Sequence, residues 1–331
     1  MELRTKLKKA CESSLLPEKH KKHFLEMFES YAQVLKKHHI DVNLYVHLFF
    51  DFLEKIEENV KAPFPFSPFH KQILAPFNYY QFGVDFFKPL VDIQNSSITG
   101  HLYLQEIVDK LARGENVIFL ANHQIEADPQ ALSILLEDLQ PKLAQDTIFV
   151  AGERVILDPL AIPFSLGRNL LCIYSKKHID NPPELKAQKQ IHNKKTLELM
   201  CHLLSEGGCS IYVAPSGGRD RADSDGHVSV SRFDPQSIEL FYLMTKKASK
   251  PTSFYPMALA TYSLLPPPNA VQTELGEART TNRGSIHLWV GPSISMDNFP
   301  GSIESDKKRN RELRADYIWE QVCKAYNQFP L

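Results

Sequence analysis

A histidine stands five positions before an aspartate in Asn122-His123-Gln124-Ile125-Glu126-Ala127-Asp128, directly after the apolar run Val117-Ile118-Phe119-Leu120-Ala121. An imidazole beside a carboxylate at the mouth of a strand is the least apparatus that can take a proton from a hydroxyl. In that reading His123 is a general base, and Asp128 fixes its tautomer and stabilises the imidazolium formed on proton uptake. Asp128 also precedes Pro129 and an apolar helix, the pattern of an N-cap followed by proline at the first helical position. Either role holds the carboxylate still.

A second group follows another apolar run, Ile211-Tyr212-Val213-Ala214, as Pro215-Ser216-Gly217-Gly218-Arg219-Asp220-Arg221. The paired glycines allow close backbone approach, and Arg219 and Arg221 present guanidinium forks suited to phosphate or carboxylate, although solvated loops carry the same residue types. Ser216 imitates a nucleophile elbow, but that geometry needs a helix immediately after the serine, and Gly-Gly-Arg-Asp-Arg is a poor helix start. Asp223-Ser224-Asp225-Gly226 imitates a calcium loop, yet Arg232 stands where the bidentate glutamate is required. Two further strand ends carry cations: Tyr174-Ser175-Lys176-Lys177-His178, and Gly152-Glu153-Arg154. Each alone reads as an ordinary surface loop. Together, one base-plus-acid pair and several cations at four strand ends make a site for an anionic substrate that bears a hydroxyl.

The elements that must position these residues follow from periodicity. Phe24, Met27, Phe28, Tyr31, Val34 and Leu35 fall at helical spacing, as do Val42, Tyr45, Phe49, Phe52, Leu53, Ile56 and Val60. Two long amphipathic helices, with a shorter one before Pro17, are expected to pack as a bundle. The alternating prolines of Pro63-Phe64-Pro65-Phe66-Ser67-Pro68 deny helix and central strand, so a helical domain over 1–75 and a catalytic domain over 76–331 are expected. From about residue 100, helices at 101–113, 129–139, 184–206, 234–248 and 303–325 alternate with strands at 117–121, 147–151, 170–174, 210–214, 252–260 and 286–291. That alternation predicts an α/β fold, a sheet flanked by helices, with ligands gathered at strand ends.

Composition narrows the function classes. A net charge of −1 excludes a global attraction to nucleic acid or anionic lipid, so any anion site is local. Nothing approaches the length of apolar run that spans a bilayer. Five scattered cysteines without a C-x-x-C pair argue against a disulfide framework, and the histidines at positions 20, 23, 38, 39 and 47 lie among Lys and Glu, so no metal site is expected. The charged start Met1-Glu2-Leu3-Arg4 has no signal-peptide core, and a cytoplasmic protein is expected, or a plastid stromal one if a transit peptide has been removed.

Taken in order, Asn122-His123-x4-Asp128, Gly152-x-Arg154, Ala214-Pro215-Ser216-Gly217-Gly218-Arg219-Asp220-Arg221 and Phe254-Tyr255-Pro256-Met257-Ala258 resemble the four motif blocks of the glycerolipid acyltransferases. The chain is most similar to the soluble, plastid-type glycerol-3-phosphate acyltransferases, whose Ser-Lys-Lys-His segment looks like residues 175–178 and whose helical N-terminal domain looks like residues 1–75. It departs from the membrane-bound relatives in the third block, where their Pro-Glu-Gly-Thr-Arg is replaced by Pro215-Ser216-Gly217-Gly218-Arg219. The resemblance implies a mixed sheet flanked by helices and a 1-O-acyltransferase that uses an acyl-carrier-protein, or coenzyme A, thioester and needs no cofactor. It also implies that Lys177, His178, Arg219 and Arg221 hold the phosphate of glycerol 3-phosphate, while His123 activates the C1 hydroxyl to give lysophosphatidate. Backbone N–H groups near Gly217 and Gly218 are candidates for the oxyanion hole, with Arg154 and Ser216 as further site residues. Basic clusters, Lys6-Lys8-Lys9 and Lys19-Lys21-Lys22, suit an acidic carrier protein. Three other readings stay open on sequence: an acyl-ester hydrolase with Ser216 as nucleophile, an acyltransferase with another acceptor such as lysophosphatidate, and a non-catalytic binder of phosphorylated lipid precursors.

Overall fold

The computed structural model describes residues 2–175, 179–268, 277–303 and 306–330. Helices α1 (Glu2–Ser13), α2 (Glu18–Lys37) and α3 (Val46–Lys61) form at the predicted places. Their apolar positions turn inward: Phe24, Met27, Phe28, Tyr31 and Leu35 on α2 and Phe49, Phe52, Leu53 and Ile56 on α3 are all buried. The proline-rich stretch ends α3, as its missing N–H groups demand, and leads into a two-residue edge strand, β1 (Phe69–His70).

The remaining elements, in chain order, are α4 (Tyr79–Phe87), β2 (Ser97–Thr99), α5 (His101–Ala112), β3 (Asn116–Ala121), α6 (Asp128–Leu136), α7 (Pro141–Asp146), β4 (Ile148–Gly152), α8 (Arg154–Leu157), α9 (Ile162–Ser165), β5 (Asn169–Ile173), α10 (Lys186–Glu206), β6 (Ser210–Val213), α11 (Pro235–Lys247), β7 (Thr252–Ala260), β8 (His287–Val290) and α12 (Lys307–Tyr326). Strands β1 and β2 escape the sequence pattern because two or three residues carry no period. Helix α4 escapes it because its chain is apolar on nearly every side. Its glycine has a packing reason: a Cβ on Gly83 would come within 3.2 Å of the Gln130 side chain, so the missing side chain lets α4 lie close on α6.

The eight strands form one mixed sheet in the order β1-β5-β4-β6-β3-β7-β8-β2. Its centre, β5-β4-β6-β3-β7, is parallel, while β1 pairs antiparallel with β5 and β8 antiparallel with β7. Strand β3 is buried along its whole length and its alternating side chains feed two cores. Val117, Phe119 and Ala121 join one face with α1–α6; Ile118 and Leu120 join the other with α10, α11 and α12. The first core runs without a break into the N-terminal helices: Tyr31 meets Phe86 at 5.3 Å between ring centroids, and Phe52 meets Phe164 at 5.0 Å. Helices thus cover both faces of the sheet, and all five parallel strands end at one edge.

Candidate active site

Strand β3 ends at Ala121, and the next residues turn across that edge. Asn122 is fully buried and fixes the turn: its amide donates to the Leu259 carbonyl at 2.9 Å and to Asp220 Oδ2 at 3.0 Å, and its oxygen accepts from the Leu259 N–H at 2.8 Å. Tyr212, also buried, donates its hydroxyl to the Asn122 carbonyl. The two strands beside β3, together with the loop after β6, therefore hold the residue before His123. Gln124, on the other side, accepts from the N–H groups of Thr261 and Tyr262 at 2.7 and 3.0 Å and donates to the Tyr326 hydroxyl at 3.0 Å. The chain is therefore anchored on both sides of His123.

His123 Nδ1 lies 2.7 Å from Asp128 Oδ2. The imidazole is 30% exposed and the carboxylate 1%. The sequence expectation of an N-cap at Asp128 is corrected here. Asp128 is the first residue of α6, and its carboxylate points backward instead of capping the helix. It accepts from the N–H groups of Gln124 at 2.8 Å and Ile125 at 3.3 Å and from the Thr261 hydroxyl. The reason is topological: β7 ends at Ala260 beside β3, so Thr261 arrives where the helix amides would otherwise find the carboxylate. Four donors converge on one buried charge, which compensates its desolvation.

The loop after β6 reaches the same place. The Asp220 N–H donates to the His123 carbonyl at 2.6 Å, and Asp220 Oδ1 accepts from the Ser231 N–H at 2.8 Å. Burial pushes the Asp220 carboxyl above its usual range, with the Asn122 and Ser231 hydrogen bonds opposing. Arg219 and Arg221 flank this anchor. Arg221 Nε and Nη1 donate to the carbonyls of Pro268 and Arg219 at 3.2 and 3.1 Å, and burial, followed by the Arg219 charge, lowers its pKa. Arg219 Nη2 donates to Glu277 Oε2 at 2.7 Å. Burial works against the Arg219 charge, but the Glu277 hydrogen bond and the field of Glu126 outweigh it and hold its pKa above the ordinary arginine range.

Ser216 Oγ donates to the Gly218 carbonyl at 2.9 Å, and among the described residues no hydrogen bond joins it to His123. No helix follows it before Pro235. The Gly217 N–H closes a turn on the Ala214 carbonyl at 3.1 Å with φ +64°, so it is already committed and Gly218 is the remaining glycine amide. Arg154 opens α8 just past the end of β4. Lys177 and His178 lie outside the described residues; Tyr174, at the end of β5, is clamped to Asn193 of α10 through bonds of 2.7 and 2.9 Å.

Sequence reasoning missed four charged groups here. Glu126 lies inside the key heptad, and Arg279 joins it at 2.8 Å while also donating to Asp158 at 3.1 Å. Burial opposes the Arg279 charge, and the two carboxylates overcome it to hold its pKa above the usual arginine range. Glu277 completes the set at Arg219. A carboxylate between His123 and Asp128 was a visible signal; Asp158, Glu277 and Arg279 are distant in sequence and had none.

Residues 104–260 match the family model described as Acyltransferase, a span that holds every strand end just described. Residues 104–260 thus form a domain of that acyltransferase family. The chain is similar to a chloroplastic glycerol-3-phosphate acyltransferase of Cucurbita moschata, 40% identical over 276 residues, covering 83% of this chain and 62% of the relative. The chloroplastic glycerol-3-phosphate acyltransferase of Spinacia oleracea is 39% identical over 81% of this chain and 57% of its own length. That of Arabidopsis thaliana is 38% identical over 81% and 58%. The chain thus matches about three fifths of the length of these curated relatives. A solved 1-acyl-sn-glycerophosphate acyltransferase of Thermotoga maritima aligns at 18% identity over 76% of this chain and 78% of its own, with a TM-score of 0.42, too loose a likeness to bear on the site. Among the described residues no helix is long and apolar enough to cross a membrane.

Proposed function

We propose that this protein transfers a fatty acyl group from the thioester of an acyl-carrier protein or coenzyme A to the C1 hydroxyl of glycerol 3-phosphate, giving lysophosphatidate. The observation that carries this reading is the His123–Asp128 hydrogen bond of 2.7 Å, made by a sealed carboxylate to a partly open imidazole. With the Nδ1 proton directed at Asp128, Nε2 is an acceptor, the form a general base needs. Nε2 takes the proton as the hydroxyl oxygen attacks the thioester carbonyl carbon. The tetrahedral oxyanion then collapses, the C–S bond breaks, and the sulfur leaves with the proton returned from Nε2. Asp128 stabilises the imidazolium between these two transfers. No acyl-enzyme forms, and the reaction balances without a cofactor.

Arg219 and Arg221, with Lys177 and His178, are proposed to hold the substrate phosphate. The Asp220 N–H bond to the His123 carbonyl supports this, because it ties the cationic loop to the base at 2.6 Å and so sets the distance from phosphate to hydroxyl. Arg154 and Gly218 are proposed as further contacts at the same edge. The relatives, chloroplastic glycerol-3-phosphate acyltransferases by name, support the acceptor and a plastid location. For the donor, the basic clusters of α1 and α2 favour a carrier protein, although Lys8 and Lys21 already pair with Glu29 and Glu18 at 2.7 and 2.9 Å. Purified protein given an acyl thioester and either glycerol 3-phosphate, glycerol or lysophosphatidate tests the assignment. A 1-acyl product from glycerol 3-phosphate alone is expected; phosphatidate from lysophosphatidate would move the acceptor, and free fatty acid alone would revive the Ser216 hydrolase.

A further inference from the structure

Arg219 does not stand as a bare cation. Its Nη2 donates to Glu277 Oε2 at 2.7 Å, and its Nη1 lies 3.8 Å from Glu126 Oε1. Glu126 is held from its other side by Arg279 Nε at 2.8 Å. Arg279 Nη2 reaches Asp158 at 3.1 Å, and Nη1 donates to the main-chain carbonyl of Glu277 at 2.8 Å. The result is one chain of alternating charge, Asp158–Arg279–Glu126–Arg219–Glu277: three carboxylates, two guanidiniums, and a net charge of 2 − 3 = −1. A dianion brought against Arg219 meets a cation that two carboxylates already neutralise.

Resting on the glycerol-3-phosphate reading above, we propose that Glu277 is a resident counter-ion that occupies Arg219 until the substrate phosphate displaces it, and so sets the affinity for the acceptor. The two carboxylates at Arg219 differ in what holds them, although Glu277 is the more buried, with a side chain 6% exposed against 25% for Glu126. Glu126 is pinned by Arg279 and lies within the turn between His123 and Asp128. Among the described residues, the Glu277 carboxylate bonds only to Arg219, and it belongs to a segment, 277–283, without helix or strand. Its backbone is fixed separately: Arg279 grips the Glu277 carbonyl, and the Thr281 N–H donates to Ser30 Oγ of α2 at 3.1 Å. Rotation of one side chain therefore releases Arg219 with the strap in place. The Arg219 side chain, 14% exposed, is too poorly hydrated to stay unpaired, which gives Glu277 its use when no substrate is bound. A phosphate offers two charges and more acceptor oxygens, and replaces it.

The test titrates inorganic phosphate and glycerol 3-phosphate by calorimetry into wild type, Glu277→Gln, Glu277→Ala and the double variant Arg219→Ala/Glu277→Gln. Glutamine keeps the size and the acceptor and removes only the charge. Both single variants are expected to bind phosphate about five- to tenfold more tightly, with KM for glycerol 3-phosphate lowered by the same factor, and the double variant to lose the gain. Unchanged or weaker phosphate binding by the folded single variants overturns the proposal, because Glu277 would then position Arg219 instead of occupying it. A gain that survives removal of Arg219 overturns it as well. The phosphate titration needs no acyl transfer, so tighter binding without acylation of glycerol 3-phosphate would sink the function and leave the displacement standing.

Discussion

At the scale of single residues, the pair at the end of β3 makes two different demands on mutants. His123→Ala removes the proposed base while its neighbours Asn122 and Gln124 keep the turn, so turnover should fall by roughly two to four powers of ten with little change in melting temperature. Turnover like wild type in folded His123→Ala would end the mechanism. Asp128→Asn is predicted to lose both activity and stability. The carboxylate accepts from His123, two loop amides and Thr261, so an amide NH2 in its place must face donors on at least one side. Stranding such a buried donor costs about 1–3 kcal/mol, and a flipped imidazole presents the wrong tautomer to the substrate. A variant that keeps full stability and loses only turnover would mean that Asp128 is held less tightly than its hydrogen bonds indicate. As an N-cap, the sequence expectation, Asp128 would lose activity but little stability on replacement by asparagine, itself a good N-cap. Residue types made the His123–Asp128 pair legible, and only the arrival of Thr261 from β7 could show which way the carboxylate points.

At the scale of elements, long periodic segments were legible and short ones were not. The two long N-terminal helices, the parallel strands and the strand-end placement of the motifs all follow from spacing. Strand β1 does not, yet it carries a titratable group with a measurable consequence. His70 is buried at the sheet edge with Nε2 3.1 Å from the Leu166 carbonyl, and burial pulls its pKa below the ordinary value near 6.5, the hydrogen bond opposing. The unfolded chain takes up a proton near 6.5 that the folded chain resists. His70 thus adds stability that is present above 6.5 and drains away as pH falls toward its lower folded value. His20 and His287, both lowered chiefly by burial, act in the same sense. Asp220, whose pKa burial raises, acts in the opposite sense, so comparison with a variant is the diagnostic measurement. Urea midpoints measured from pH 7.5 to about 5 should fall more for wild type than for His70→Gln; parallel curves would show that His70 is not the group responsible.

At the scale of the whole molecule, the proline-rich stretch suggests a boundary, while the packing carries one apolar core across it. Phe86 of α4 is fully buried and meets Tyr31 of α2 and Phe49 and Phe52 of α3 on one side, and Phe82 and Phe164 on the other. Separating the first three helices from the sheet would expose these rings together, at a cost comparable to a domain's whole margin of stability. Polar ties point the same way, since Ser30 of α2 bonds to Thr281, two residues from Arg279 in the site. One cooperative transition is therefore expected. The two tryptophans give a clean test, because Trp289 on β8 and Trp319 on α12 report the sheet and its far face, whereas α1, α2 and α3 contribute helix and no tryptophan. Unfolding in urea followed by tryptophan fluorescence and by helical circular dichroism should give coincident curves. Phe86→Ala should shift both curves together by about 3–5 kcal/mol, as loss of a fully buried ring does. A helical signal that melts first, with the fluorescence curve unmoved by Phe86→Ala, would establish the bundle as a separate unit.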